Sequence, residues 1–249
     1  MIGFDELGDK GWLGNQMFQY ASLRGIAAHR GYEFCIPPEN AGRTNYLLHD
    51  IFNLPSVKNM GYIGGLYKHP TSDDVCHSTT FHFNEEFFNE CPDNVNISGF
   101  YQSEKWFKDI EDDIKNDFTF KDEILSVCKS FIEEFDTTPI FVHVRRGDFI
   151  NRPDYHYNLP TEYFVESISK FDRDIPVLVF SDDIEWCKDQ EIFKLDRFNF
   201  SETSDRLPLT NFLKGQYTEG ALVPYFDLCL MSLCNGGVMS NSTFSWWGA

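Results

Sequence analysis

Short strand-like runs alternate with helix-like segments through the second half of the chain, and this alternation constrains the fold most strongly. The runs are rich in β-branched and aromatic residues and are bounded by turn residues, as buried strands are. Parallel strands need long crossover connections, usually helices. The pattern therefore predicts an α/β fold with a parallel sheet. The predicted strands are at about 140–144, 176–180, 192–198 and 237–240. Two predicted helices are at about 121–134 and 161–171. A short third helix extends through Trp186, and a long fourth helix has Pro224 in its first turns and ends at Cys234.

The first half begins with a strand, a glycine-rich turn and a helix, which is the order that opens a Rossmann-like unit. We predict the strand at 2–7, the turn at 8–16 and the helix at 17–28, with Gly31 as its C-cap. Small residues along one face of that helix predict close packing against a sheet. A further strand is predicted at 94–102, before a helix near 103–117.

Residues 136–139, Asp-Thr-Thr-Pro, separate the less regular first half from the regular second half. This composition predicts a junction between two lobes, 1–136 and 137–249. Each lobe has the length of a small domain.

Charge and composition exclude several classes of protein. The chain has 21 basic and 39 acidic residues, a net charge of -18, which argues against nucleic acid and allows at most peripheral membrane association. It contains no apolar run of membrane-spanning length, and its N-terminus does not resemble a signal peptide. The seven cysteines have no CxxC spacing, so we expect reduced thiols in a cytoplasmic protein.

The strand at 140–144 leads directly into Arg145, Arg146, Gly147 and Asp148. In an open α/β sheet, ligands bind beyond the carboxyl ends of the strands. Two guanidinium groups at that position favour a phosphate site, because each planar fork pairs bidentately with phosphate oxygens. The alternative is an ordinary strand end with solvated charges.

Polar clusters also follow two other predicted strands, at 181–183 and at 240–245. The carboxyl ends of parallel strands lie at one edge of the sheet, so the three clusters are expected to converge. This convergence favours a ligand site over scattered surface charges.

The sequence predicts no metal site and no cofactor. Its histidines lack ligand spacing. The Asp-x-Asp pattern at Asp172 and Asp174 precedes its strand, so we expect it at the opposite end of the sheet from the phosphate site. In the first half, Asn15 and Gln16 place two amides at a helix start, where they are predicted to face a ligand.

Three motifs resemble the bacterial-type α-1,2-fucosyltransferases of glycosyltransferase family 11. They are Leu13-Gly-Asn-Gln-Met-Phe-Gln-Tyr-Ala21, His143-Val-Arg-Arg-Gly-Asp-Phe149 and Ser240-Asn-Ser-Thr-Phe-Ser-Trp-Trp247, with Phe180-Ser-Asp-Asp183 as a weaker fourth. Together they span almost the whole chain, in the family's order. The middle motif is also similar to one in α-1,6- and protein O-fucosyltransferases, whereas the first and last indicate the α-1,2 group.

The resemblance implies a GT-B fold of two Rossmann-like lobes, the first on the acceptor side and the second binding GDP-fucose. Its implied activity is inverting transfer of L-fucose from GDP-β-L-fucose to the 2-hydroxyl of a terminal β-galactoside, without a divalent metal. Relatives continue beyond the last motif, so the resemblance also implies a fold without its C-terminal closing helices. Two explanations stay open, truncation or closure by another route.

The resemblance also implies roles for residues of the second lobe. Arg145 would bind the β-phosphate and stabilise the leaving-group charge, while Arg146, also a candidate substrate-binding residue, would be a structural partner, with Asp148 as its candidate partner. His143 would lie near the guanosine, and Asp227 would read the guanine edge or, alternatively, be a helix surface charge.

The remaining candidates are assigned by position. Asn15 and Gln16 would face the sugar or the acceptor, and Asp148 and Asp182 are alternative general bases. The other candidate substrate-binding residues are Ser181, Ser242, Thr243, Phe244 and Ser245.

Two other readings remain for the whole chain. One is a fucosyltransferase of another linkage, such as α-1,6. The other is a catalytically silent module that binds GDP or a glycan. The acceptor and the oligomeric state are not determined by the sequence.

Overall fold

The computed structural model describes residues 1–39, 41–43, 45–65, 81–201 and 223–249. The chain divides into two compact units, Met1–Lys121 and Asp122–Ala249. Helix α5 (Asp122–Ile132) belongs to the second unit because it packs against helix α9 (Val223–Leu233). The sequence placed this segment in the first lobe, before the predicted junction at 136–139.

The first unit consists of short strands and mostly short helices around one long helix. Its elements are β1 (Ile2–Gly3), α1 (Leu13–Arg30), β2 (Phe34–Cys35), α2 (Leu48–Ile51), α3 (Glu85–Glu90), two 3-10 turns (Glu104–Trp106 and Lys108–Ile110) and α4 (Glu111–Asp117).

Strands β1 and β2 pair in parallel, and isolated parallel bridges extend the pairing on both sides. Ile36 bridges to Met60, and Gly3 bridges to Asn96. The spatial order is therefore Met60, β2, β1, Asn96, or 3-2-1-4 in chain order, which is how the strand order of a Rossmann fold begins.

The strand predicted at 94–102 is wrong, because only a single bridge forms there. Asn94 and Tyr101 have positive φ angles of 57° and 51°, and a residue with positive φ cannot continue an extended strand. The first strand is also shorter than predicted. It ends at Gly3, and hydrogen bonds from Leu7 N to Phe4 O and from Asp9 N to Glu6 O form turns after it.

Helix α1 begins at Leu13, earlier than predicted, so the first motif lies in the helix. Its predicted end is confirmed, because Gly31 adopts a left-handed conformation (φ 68°) and its N–H bonds to carbonyls of the last turn. The predicted close packing is seen at Gly25, which lies against the turn that contains Trp106, and α1 also contacts β1 and β2. A β-carbon on Gly25 would lie 1.9 Å from the backbone oxygen of Trp106.

The second unit contains the more regular sheet. Its elements are α5, β3 (Ile140–Val144), α6 (Gly147–Asn151), α7 (Thr161–Ile168), β4 (Val177–Ser181), α8 (Ile184–Asp189), a 3-10 turn (Glu191–Lys194), β5 (Phe198–Phe200), α9, β6 (Gly237–Val238) and α10 (Thr243–Gly248). The strand predicted at 192–198 is thus largely a 3-10 turn, and the pairing begins only at Phe198.

All four strands are parallel, in the order β5-β4-β3-β6. In chain order this is again 3-2-1-4. The predicted α/β fold with parallel sheets is confirmed. Alternate residues of β3, namely Ile140, Val142 and Val144, join a buried cluster with Phe164 of α7 and Cys187 of α8. The intervening residues, Phe141 and His143, therefore point to the other face of the sheet.

The six cysteines in the described ranges are all free thiols, and none of them forms a disulfide there. No described helix has both the length and the apolar character that crossing a bilayer requires.

Candidate functional site in the second unit

The candidate site lies where the direction of strand order reverses. From β3 the chain proceeds through β4 to β5 on one side, and then returns to place β6 on the other side of β3. In such sheets, the carboxyl ends of the two strands at the reversal leave a crevice for ligands. The segment 145–148 follows β3, and the segment 240–245 follows β6.

Arg145 extends from the end of β3 and is held by two carboxylates. Its Nη1 lies 2.9 Å from Oδ2 of Asp182, and its Nη2 lies 2.6 Å from Oδ1 of Asp148. The guanidinium also lies over the ring of Phe149, 5.6 Å from its centroid. The expected partner of Asp148 was Arg146, and this is wrong. At the start of α6, Asp148 is three residues beyond Arg145, one helical turn away.

Arg146 is a structural partner, as expected, but of other residues. Its Nε donates to Oδ2 of Asp183 at 3.0 Å, and its guanidinium lies 3.7 Å from the ring centroid of Trp186. Asp183 is itself fixed, because its other carboxylate oxygen accepts the Trp186 N–H at the start of α8 and its own N–H donates to Ser181 Oγ. Arg146 therefore joins β3 to α8.

Asp182 connects the ends of β3 and β4. Its Oδ1 accepts the backbone N–H of Arg146 at 2.8 Å, while Oδ2 pairs with Arg145. Oδ2 also lies where a side chain on Gly147 would be, since a β-carbon there would approach it to 2.4 Å. A side chain at position 147 would therefore displace this carboxylate.

His143 is buried beside the arginines. Its Nδ1 lies 2.8 Å from Oγ of Ser240, at the end of β6, and its ring centroid lies 5.8 Å from that of Phe244. Burial, with a smaller contribution from the Arg145 charge, lowers the pKa of His143 to about 3. The imidazole is therefore neutral at physiological pH.

The segment after β6 begins helix α10, as the sequence predicts. Ser242 caps this helix by accepting the Phe244 N–H, and Ser245 is fully buried with its hydroxyl directed to the carbonyl oxygens of Ser240 and Ser242. These two hydroxyls are used within the segment. Thr243 and Phe244 are partly exposed.

Asp227 of α9 accepts a hydrogen bond from Oγ of Ser201 at 3.1 Å. Ser201 directly follows β5 and donates its N–H to Val179 O of β4. The contact places Asp227 beside the carboxyl end of β5, at the same edge of the sheet as the arginines.

In the first unit, Asn15 and Gln16 have different environments. Gln16 is fully buried, and its amide accepts from Leu47 N and donates to Asn45 O, so it holds the turn before α2. Asn15 is partly exposed, and its Oδ1 accepts from Nε2 of Gln102 at 2.7 Å.

Sequence reasoning missed Ser240 as the partner of His143, Phe149 beneath Arg145, and Trp186 beneath Arg146. The available signal was position, since Ser240 ends a strand that neighbours β3. The Asp-x-Asp pattern at 172–174 precedes β4, at the amino end of the sheet as expected. Within the described ranges, no group of three or more His, Cys, Asp or Glu side chains is placed to hold a metal ion.

Solved structures agree with this architecture over the whole chain. The fucosyltransferase NodZ from Bradyrhizobium matches 99% of this chain and 91% of its own, with a TM-score of 0.60 and 13% identity. Another NodZ structure is described as an α-1,6-fucosyltransferase soaked with GDP-fucose. At this identity the likeness defines the fold alone, and the fold is that of a GT-B type glycosyltransferase, as predicted.

The family follows from sequence. The profile of Glycosyl transferase family 11 matches residues 4–249, and the chain belongs to this family. The α-1,2-colitosyltransferase of Escherichia coli is 29% identical over 96% of this chain and 84% of its own length. The galactoside α-(1,2)-fucosyltransferase 2 of Sus scrofa is 25% identical over 96% of this chain and 67% of its own. The resemblance drawn from the three motifs is therefore confirmed.

Proposed function

We propose that this protein is an inverting α-1,2-fucosyltransferase that moves L-fucose from GDP-β-L-fucose to the 2-hydroxyl of a terminal β-galactoside. One observation carries the proposal, namely Arg145 at the strand-order reversal of the second unit, held by two carboxylates. The α-1,2 linkage is supported by the E. coli and pig relatives, whose names both specify it.

In the proposed reaction, the acceptor 2-oxygen forms a bond to C1 of fucose while the bond from C1 to the β-phosphate oxygen breaks. The electron pair of the broken bond leaves with GDP, whose charge Arg145 stabilises. A preorganised donor of this kind contributes roughly 3 kcal/mol to the barrier reduction. The guanidinium thereby serves as the electrostatic clamp that a divalent metal supplies in other sugar-nucleotide enzymes.

The proton of the acceptor hydroxyl passes to a carboxylate, for which Asp148 is a better candidate than Asp182. Both oxygens of Asp182 already contact Arg145 and the backbone of Arg146, and its side chain is 26% exposed. Asp148 is 52% exposed and contacts Arg145 through one oxygen. A general base needs an oxygen that the substrate can reach.

The remaining roles follow from position. A neutral, buried His143 offers its ring to the nucleoside, held by Ser240, and Asp227 at the same sheet edge offers a carboxylate for the guanine N–H groups. Ser181, Thr243 and Phe244 would line the crevice. In the first unit we retain Asn15 for the sugar or acceptor, whereas Gln16 positions the turn before α2.

Transfer of colitose is the second candidate activity, because the match covers 84% of the E. coli colitosyltransferase but only 67% of the pig enzyme. The α-1,6 linkage of NodZ is less well supported, since the 13–14% identity extends to the fold only.

The decisive test is incubation with GDP-fucose and lactose or lacto-N-biose, with and without EDTA, followed by NMR of the product. We expect a fucosyl-α-1,2-galactose linkage in both conditions. An α-1,6 product would reject the proposed linkage. If EDTA abolished activity and divalent ions restored it, the role proposed for Arg145 in place of a metal would be rejected. GDP binding without turnover would favour a catalytically silent module. Parallel reactions with GDP-colitose decide the donor.

A further inference from the structure

The arginines of the candidate site are already neutralised. Arg145 and Arg146 carry two positive charges, and the carboxylates that contact them, Asp148, Asp182 and Asp183, carry three negative charges. The net charge of these five side chains is therefore -1, and the neighbouring His143 is neutral. A diphosphate brings further negative charge, so it binds well only if a carboxylate moves away from Arg145.

The three carboxylates are held very differently. Asp183 pairs with Arg146 and caps α8 through the Trp186 N–H. Asp182 accepts the Arg146 N–H, pairs with Arg145 and lies against Gly147. Displacing either one breaks contacts that join strands and helices.

Asp148 has no comparable support. Its side chain is 52% exposed, and its Oδ1 forms an ion pair with Nη2 of Arg145. Exposed pairs of this kind contribute little to stability. The chain can therefore give up this contact without disturbing the sheet.

We propose that Asp148 is an exchangeable counter-ion, which the diphosphate of the donor displaces from Nη2 of Arg145 while Asp182 continues to hold Nη1. Asp182 is accordingly a positioning residue, and Asp148 pairs with the nitrogen of Arg145 that the phosphate contacts once the donor is bound. This inference rests on the proposed function, in which the site binds a nucleoside diphosphate.

The exchange has a consequence for catalysis. Displacement frees the Asp148 carboxylate from Arg145 only when the diphosphate is bound. The carboxylate proposed to accept the acceptor proton thus becomes available only with donor in place.

Opposite effects of two similar substitutions test the exchange. GDP binding would be titrated calorimetrically against the full chain and against D148N, D148A and D182N. Both Asp148 variants should bind GDP about three- to tenfold more tightly, because a competing anion is gone, whereas D182N should bind it about tenfold more weakly. Asp174→Asn, an exposed carboxylate at the amino end of the sheet, is the matched control and should leave affinity unchanged.

Circular dichroism of each variant separates misfolding from altered affinity. If both Asp148 variants bind GDP no more tightly than the native chain, the exchange is wrong and the proposed function stands. If the native chain itself does not bind GDP, the proposed function fails first.

Discussion

A β-carbon on Gly147 would lie 2.4 Å from Oδ2 of Asp182, the same oxygen that pairs with Arg145. The missing side chain of Gly147, just after β3, therefore leaves room for the carboxylate of Asp182, just after β4. The alignment of Arg145 depends on this fit, although neither Gly147 nor Asp182 needs to touch the reacting atoms.

Gly147→Ala should lower kcat/KM by about ten- to a hundredfold, because the new methyl group displaces the Asp182 carboxylate and shifts Arg145. The double variant G147A/D182A should be no worse than D182A alone, within about twofold, because both changes remove one contact. Steady-state kinetics of the three variants measure this. Fully additive losses would contradict the common mechanism.

Arg145→Ala and Arg145→Lys should both lower turnover by about a hundredfold, with unchanged far-UV circular dichroism. Lysine keeps the charge but lacks the fork that Asp182 and a phosphate oxygen must share. Arg173→Ala, an exposed arginine at the amino end of the sheet, is the control and should retain activity. Near-native turnover in the lysine variant would show that charge alone suffices.

Arg146→Met should act on stability more than on binding. The guanidinium contacts the Trp186 ring and Asp183, so its loss should lower the free energy of unfolding by about 1–2 kcal/mol. We expect the Kd for GDP to stay within about twofold. Urea denaturation and calorimetric titration separate the two effects, and a large loss of affinity with native stability would reassign Arg146 to the ligand.

His143→Gln should remove part of the acid sensitivity of the fold. The pKa of His143 is lowered from 6.5 to about 3 in the folded chain, so below pH 6.5 the unfolded chain binds a proton that the folded chain does not. The free energy of unfolding therefore falls as the pH decreases from about 6.5 towards 3, and is unaffected above that range.

Between pH 7.5 and pH 5, the native chain should lose roughly 2 kcal/mol more than H143Q does. Urea denaturation at the two pH values measures the difference, and glutamine retains the capacity to bond Ser240. Parallel losses in the two proteins would mean that His143 titrates normally when folded.

Gly25→Ala distinguishes packing from helix propensity in the first unit. Propensity alone predicts a stabilisation of about 1 kcal/mol. The contact with the backbone oxygen of Trp106 predicts the opposite, a destabilisation of about 1–3 kcal/mol, because backbone yields little. Ala28→Gly on the exposed face of α1 calibrates the propensity term. Increased stability in G25A would refute the close contact.

The bounds of an element were predicted most accurately from the sequence where consecutive residues are all buried. The bounds of β3, 140–144, were right because Pro139 and Arg145 bracket five buried residues, and Gly31 ends α1 because glycine readily adopts the required φ. The strand at 94–102 could not be excluded in this way, because most asparagines still have negative φ and the positive φ angle at Tyr101 has no local sequence signal.

The site was predictable as a location but not as a network. Strand ends placed Arg145, Asp182 and Ser240 at one edge of the sheet. The expectation for Arg146 and Asp148 was wrong because Arg146 reaches Asp183 after the neighbouring strand β4, while Asp148 pairs with Arg145 within its own segment. Burial of Gln16 likewise depends on Asn45 and Leu47, some thirty residues away.

The two faces of β3 also limit how this segment can vary in length. Ile140, Val142 and Val144 fill the apolar cluster, while His143 points to the opposite face. Because side chains alternate along a strand, inserting or deleting one residue would turn the imidazole into that cluster and expel valines from it. Changes of length should therefore not be tolerated within the five residues of β3.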